Sequence, residues 1–148
     1  MLYIASDHRG FALKKHLVKY IEAELKQPIE DLGAKKLDPA DDAPDFAIAL
    51  SKKIAVGKNN LGILICWTGH AMGITANKIP GTRAITGYST EGAEMGRLHN
   101  DANIICLASK YLSPDHAEAI VKKFLETKFD GDERLVRRNA KIAELDKK

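Results

Sequence analysis

The segment Leu61–Cys66, LGILIC, offers no polar position at which a strand could face water. A strand that is apolar on both sides must be covered on both sides, which is the condition of a parallel sheet sandwiched between helices. In open sheets of that kind ligands sit outside the carboxyl ends of the strands, where loop amides and helix starts point at them. Cys66, the last residue of the run, is therefore expected at the rim of a crevice. The loop after it, Trp67-Thr68-Gly69-His70-Ala71, leads into a helix expected over residues 72–78 and stopped by Pro80.

The rest of the chain switches repeatedly between strand and helix periods. Residues 2–6 read as a first strand, followed by Asp7-His8-Arg9-Gly10. A helix then turns Phe11, Leu13, Leu17, Tyr20, Ile21 and Leu25 inward until Pro28 stops it. Ile29 to Leu32 read as a weak second strand. Residues 34–44, AKKLDPADDAP, carry two prolines and three aspartates and read as a loop long enough to take part in a site. A helix over residues 45–56 ends at Gly57, a glycine cap. Residues 82–86 read as a strand, and Ser89 caps a helix to Leu98 with Glu91 in its first turn. Residues 103–108 read as a fifth strand, apolar almost throughout. Ser113 and Pro114 open a helix to Leu125. Last comes a polar helix, residues 133–146, expected to pack on a partner subunit or to reach over the site.

Five strands alternating with helices predict an α/β fold, a single doubly wound five-stranded parallel sheet over residues 1–148 with a helical tail from 129 to 148. The natural strand order at this size is 2-1-3-4-5. Its switch point lies between the first and third strands, so Asp7 and His8 are expected to meet Cys66 and Thr68. An aspartate, a histidine, a thiol and a hydroxyl form a mixture suited to proton transfer.

With 148 residues, 45% of them hydrophobic, the chain is sized for one core. A net charge of +3 with interspersed signs points away from nucleic acid and from membrane surfaces. Met1 leads into the first strand with no basic leader and no stretch long enough to span a bilayer, so a cytoplasmic protein is expected. Neither Cys66 nor Cys106 belongs to a CxxC or a Cys/His cluster, so no structural zinc and no disulfide is expected. The first strand is not followed by a Rossmann glycine fingerprint and no Walker lysine motif is present, which disfavours dinucleotides and nucleoside triphosphates. The serine- and threonine-rich phosphate loop that a flavin mononucleotide would need there is also missing.

SDHRGF, DAPDFA, GILICWTGHAMGITANKIPGTRA, RLHNDANIICLA and the arginine-bearing tail, in that order and across almost the whole chain, resemble the type B ribose-5-phosphate isomerase and galactose-6-phosphate isomerase family. The resemblance implies a Rossmann-like domain, a homodimer or dimer of dimers with shared active sites, and isomerisation of a phosphorylated sugar without metal or other cofactor. The default pair is ribose 5-phosphate and ribulose 5-phosphate, interconverted through a cis-enediolate. By position, Cys66 matches the base, Thr68 a hydroxyl at the reacting oxygens, and Trp67, Gly69, His70 and Ala71 the loop whose N–H groups stabilise the oxyanion. His99 matches the residue that opens the sugar ring, with Asn100 beside it. Asp7 and His8 match sugar and phosphate contacts, and Arg134 and Arg138, one helical turn apart, match paired phosphate-gripping arginines. Lys110 stands where an arginine is usual, giving a point charge in place of a fork.

The departures fall on the loop. Trp67 and Ala71 replace two glycines, Ala43 stands where a tyrosine is common, and Met72 stands where some relatives carry a glutamate base. One reading joins the first two: the Trp67 indole fills the space of the tyrosine missing at 43. Without the family context other readings stay open. Cys66 then fits a small buried hydrophobe, His99 a cation at a helix end, and the arginines of the tail a solvated face. His70 fits either a substrate contact or solvent. Glu133 is an extra residue relative to the family pattern. The alternatives to ribose 5-phosphate are a hexose 6-phosphate or a tetrose phosphate, or a sugar-phosphate-binding protein without turnover.

Overall fold

The computed structural model describes residues 1–147. The chain runs β1 (Leu2–Ser6), α1 (Phe11–Ala23), β2 (Ile29–Asp31), α2 (Ala43–Ala55), β3 (Leu61–Cys66), α3 (His70–Ala76), β4 (Ala84–Gly87), α4 (Thr90–Asn100), β5 (Ile104–Ala108), α5 (Pro114–Glu126) and α6 (Glu133–Ala143), closed by a 3-10 turn at Glu144–Lys147. No helix among the described residues is long and apolar enough to cross a membrane.

Every strand pair is parallel, in the order β2-β1-β3-β5-β4. The doubly wound sheet and its switch point between β1 and β3 are as expected, but the last two strands exchange places relative to the order 2-1-3-4-5. Burial gives the reason. All five residues of β5 are buried, whereas three of the four residues of β4 are half-exposed. A strand apolar on both faces belongs inside the sheet, and the short, half-exposed one takes the edge.

The strands' period of two sorts their side chains into two cores. Ile63, Ile65, Ile105 and Leu107 face α1, α4 and α5, with Leu17, Ile120 and Phe124 packed on them. Leu64, Cys66, Ile104 and Cys106 face α2 and α3, with Leu50, Ile54 and Met72 packed on them. Cys66 and the residue after it thus leave the sheet on opposite sides.

Helix starts are set by particular residues. α3 begins at His70, two residues before the expected position, because Gly69 turns the chain at φ 80°, a left-handed conformation that costs glycine little. α1 starts where Gly10 lets the backbone close on β3: a Cβ there would lie 2.5 Å from the Ile65 carbonyl oxygen. α4 runs on to Asn100 and ends where Asp101 adopts φ 45°.

One core position is charged. Lys14 lies in the buried stripe of α1 and is 1% exposed. Its Nζ donates to both oxygens of Asp31, at 2.7 and 2.8 Å, and to the Ala34 carbonyl at 2.7 Å. Burial pushes the Lys14 pKa down and Asp31 opposes it. The sequence reading placed only apolar residues on this stripe; the ammonium is tolerated because β2 ends on its counter-ion. Asp31→Ala leaves that ammonium buried and unpaired. The expected loss is about 3 kcal/mol, the low end for a broken buried pair because Asp31 keeps some water contact. Chemical denaturation measures it, with Asp31→Asn expected to lose less.

Candidate functional site

Parallel strands end at one rim, and the loops after β1, β3 and β5 meet there. In the register of β1 against β3, Ser6 lies opposite Ile65, so Asp7 follows at the level of Cys66. The Asp7 N–H donates to the Ile65 carbonyl at 3.3 Å. Ser109 ties the loops together: its N–H donates to the Cys66 carbonyl at 3.0 Å, and its hydroxyl reaches the carbonyls of Arg9 and Cys66 at 3.0 and 3.1 Å. The Lys110 N–H donates to the Trp67 carbonyl at 3.0 Å.

Within this frame Asp7 is buried, and its Oδ1 accepts the Gly10 N–H at 2.9 Å. Burial raises its pKa above 3.8; the Gly10 N–H and His8 act against that, and Asp41 adds to it. His8 is fixed by a residue that sequence reasoning left in an unassigned loop. Oδ1 of Asp41 accepts both the His8 backbone N–H at 3.0 Å and its ring Nδ1–H at 2.7 Å. A carboxylate only accepts, so Nδ1 carries the proton and Nε2 is left for another partner. The other Asp41 oxygen is buried without a partner. The sequence signal was weak, an aspartate among three in a proline-rich loop.

Cys66 is buried, and the Gly69 N–H donates to its Sγ at 3.2 Å. The loop therefore folds back over the sulfur and places the positive end of a peptide dipole on it. Cys106 is fully buried in the core, and burial pushes its thiol far up. Thr68 is half-buried, and Tyr88, a second residue missed in the sequence, donates its hydroxyl to the Thr68 carbonyl at 3.4 Å. His70 is exposed and meets the Tyr88 ring edge-on at 6.5 Å. Ala71 is exposed in the first turn of α3.

Trp67 does not fill the space beside Ala43. Its ring lies under Arg9, 4.7 Å from the guanidinium carbon, and within 5.5 Å of the Lys110 Nζ. It lines a cleft of about 450 Å³ with Leu13, Leu112 and Pro114 on the α1 and α5 side, whereas Ala43 packs into the α2 and α3 core. The strand period is the reason: the residue after Cys66 must leave the sheet on the other face.

The remaining expected site residues lie elsewhere. α4 carries the chain from the rim back to the amino edge of the sheet, where β5 starts, and His99 and Asn100 are its last two residues. Asn100 accordingly lines a cleft with Asn77, Thr82 and Arg83 at the start of β4. α6 docks beside them, with the Asn139 side chain donating to the His99 carbonyl at 3.0 Å. Arg134 and Arg138 are exposed on α6. One chain therefore holds two groups at opposite edges of its sheet: Asp7, His8, Cys66, Thr68 and Lys110 at one, and His99, Asn100, Arg134 and Arg138 at the other. Among the described residues no three His, Cys, Asp or Glu gather as a metal ion would need.

The family model for ribose/galactose isomerases matches residues 2–142. The chain belongs to that family. It is thus an enzyme of the isomerase class. Among its relatives, ribose-5-phosphate isomerase B of Mycolicibacterium paratuberculosis is 36% identical over 146 residues, covering 99% of this chain and 91% of its own. D-erythrulose-4-phosphate isomerase 2 of Mycolicibacterium smegmatis is 33% identical, covering 87% and 86%. The crystal structure of ribose-5-phosphate isomerase B from Mycoplasma genitalium with bound ribulose-5-phosphate superposes with a TM-score of 0.94 at 36% identity, covering 99% of this chain and 96% of that one.

In this isomerase the buried carboxyl of Asp7 carries a stability cost whose sign can be worked out. Its folded pKa lies above 3.8, so the native state holds the proton more tightly than the unfolded chain. Stability therefore falls as pH rises from 3.8 through the raised value, and the cost is fully present above it. Asp7→Asn keeps an oxygen for the Gly10 N–H and removes that cost. Urea titrations are expected to find the variant more stable than wild type at neutral pH, with the gain shrinking towards pH 3.8 and below.

Proposed function

We propose that the chain interconverts an aldose phosphate and its ketose phosphate, with ribose 5-phosphate and ribulose 5-phosphate as the pair, using Cys66 as the base. The observation that carries this reading is the Cys66 sulfur under the Gly69 N–H, one strand away from the buried Asp7 at the shared rim. The family and the relatives' names supply the reaction class and the sugar phosphate.

The steps follow from what each group offers. A thiolate at Cys66 takes the proton from the carbon next to the carbonyl. The C–H electron pair becomes the C=C bond of an enediolate, and the carbonyl oxygen takes the negative charge. The Thr68 hydroxyl and the first-turn N–H groups of α3, which precede that helix's own backbone bonds, are the donors for this charge. The carbon-bound proton returns to the neighbouring carbon, so one base serves both carbons. The hydroxyl proton on the sugar's second oxygen passes to the former carbonyl oxygen by way of the Thr68 hydroxyl. Asp7 and the Nε2 edge of His8 hold the sugar and its phosphate.

Ring opening and the arginine grip need His99, Asn100, Arg134 and Arg138, which the fold keeps at the far edge of the sheet. A second copy of the chain supplies them in this reading, so the enzyme works as a homodimer or a dimer of dimers. The surface supports it: Ile74, Val136, Ile142 and Leu145 are exposed on α3, α6 and the final turn, and β4 is an open edge strand.

Two measurements test the proposal. Cys66→Ala is expected to lower turnover and solvent deuterium exchange by about a thousandfold; exchange at the wild-type rate in that variant would remove the cysteine from the mechanism. Mixing inactive Cys66→Ala and His99→Ala chains by co-expression is expected to restore about a quarter of wild-type activity, because half of the dimers are mixed and each holds one intact site. A site complete within one chain would give no restoration. Assays on tetrose, pentose and hexose phosphates set the substrate, the tetrose being the alternative that the smegmatis relative's name favours. Sugar-phosphate binding without exchange would indicate a binding protein.

A further inference from the structure

We propose that Arg9 binds the substrate's phosphate together with Lys110, and that Trp67 is the shelf that holds both cations in place; this rests on the sugar-phosphate reading above. Arg9 comes from the loop after β1 and Lys110 from the loop after β5, yet both charges reach one indole, at 4.7 and 5.5 Å from its centre, with the Lys110 Nζ also 5.6 Å from the Tyr111 ring. Both side chains are exposed, and among the described residues neither makes an ion pair or a side-chain hydrogen bond. The buried carboxylate two residues before Arg9, Asp7, accepts the Gly10 N–H instead of pairing with either cation.

Two like charges drawn to one ring and given no counter-ion leave room for an anion to complete the group. A phosphate monoester, carrying close to two negative charges, fits best. The ring prepares the cations for it. A guanidinium resting on an aromatic face uses that face, which leaves its N–H edge free to meet phosphate oxygens in a fork. The shelf is also fixed relative to the chemistry. Ser109 bonds the carbonyls of Arg9 and Cys66 with one hydroxyl, and the Lys110 N–H holds the Trp67 carbonyl. Arg9 and Lys110 stand on the α1 and α5 side of the rim, so a substrate with its reacting carbons at the Cys66 sulfur meets them by reaching across the strand ends.

Trp67 is the chain's one tryptophan, so its emission reads the proposal without any turnover. Titrating the full-length wild-type enzyme with inorganic phosphate and with ribose 5-phosphate is expected to give a saturable change in Trp67 fluorescence. Arg9→Ala is expected to weaken both midpoints and raise KM about tenfold or more, with kcat within about threefold, and Arg9→Lys to recover part of this. Trp67→Phe is expected to keep most of the affinity. Trp67→Ala is expected to match Arg9→Ala, and the double variant Arg9→Ala/Trp67→Ala to lose little more than either alone, the mark of two residues acting together. Calorimetric phosphate binding with no change in emission, or KM and phosphate affinity within twofold of wild type in Arg9→Ala, would overturn it. Absence of all isomerase activity in the wild type would defeat the function proposed above, and the phosphate titrations would still decide the shelf.

Discussion

The parallel pairing of β1 with β3, from Leu2 opposite Leu61 to Ser6 opposite Ile65, is the constraint on which the site depends. It aligns the ends of two strands far apart in sequence, so that a buried carboxylate and a thiol reach one rim. The next loops can close over that rim only because no Cβ stands at Gly10, packed on the Ile65 carbonyl, and because Gly69 turns back to the sulfur. β5 then joins β3 from the other side, and Ser109 binds the three loops into one piece. Groups set on strand ends in this way are positioned by the sheet itself, which the proposed proton transfer between fixed atoms requires.

Buried polar groups in this fold differ in how fully they are satisfied. Lys14 makes three bonds and sits on its counter-ion. Among the described residues, buried side-chain oxygens without a partner occur at Ser6 and Asp41, around the Asp7 and His8 loop, at Asn139, beside His99, and at Ser51 inside α2. Native proteins rarely leave such atoms unpaired. Three of these four oxygens lie beside the two groups of candidate site residues, and the raised pKa of Asp7 adds a cost at the first of them.

Much of this was legible in the sequence because it follows from local periodicity. The unbroken apolar strand announced a two-sided parallel sheet, and the pairing at the switch point sets Asp7 at the level of Cys66. The same signal, read further, ordered the edge: IICLA is as apolar as LGILIC, and its place inside the sheet follows from that rather than from chain order. Other features carried no local signature. Lys14 shares its stripe with leucines and is explained only by Asp31, on another element. Asp41 was one acid among several in a loop, and its hold on His8 is a matter of distance alone. Trp67 was assigned to the wrong face because a side chain's direction after a strand end depends on register, which a comparison of residue types does not consider.

The separation of the two groups of site residues also follows from topology. In a right-handed βαβ unit the helix returns the chain to the amino edge, so the end of α4 cannot share a rim with the end of β3 in the same molecule. Sequence order hides this, since His99 stands between two strands that both belong to the sheet. In the proposed assembly the polar α6 gains its purpose from the same fact. It buries only Leu135 within its own chain and is tied by Asn139 to the carbonyl of His99. The end of α4 and the arginines of α6 therefore form one unit, which in the proposed assembly meets the carboxyl rim of another copy.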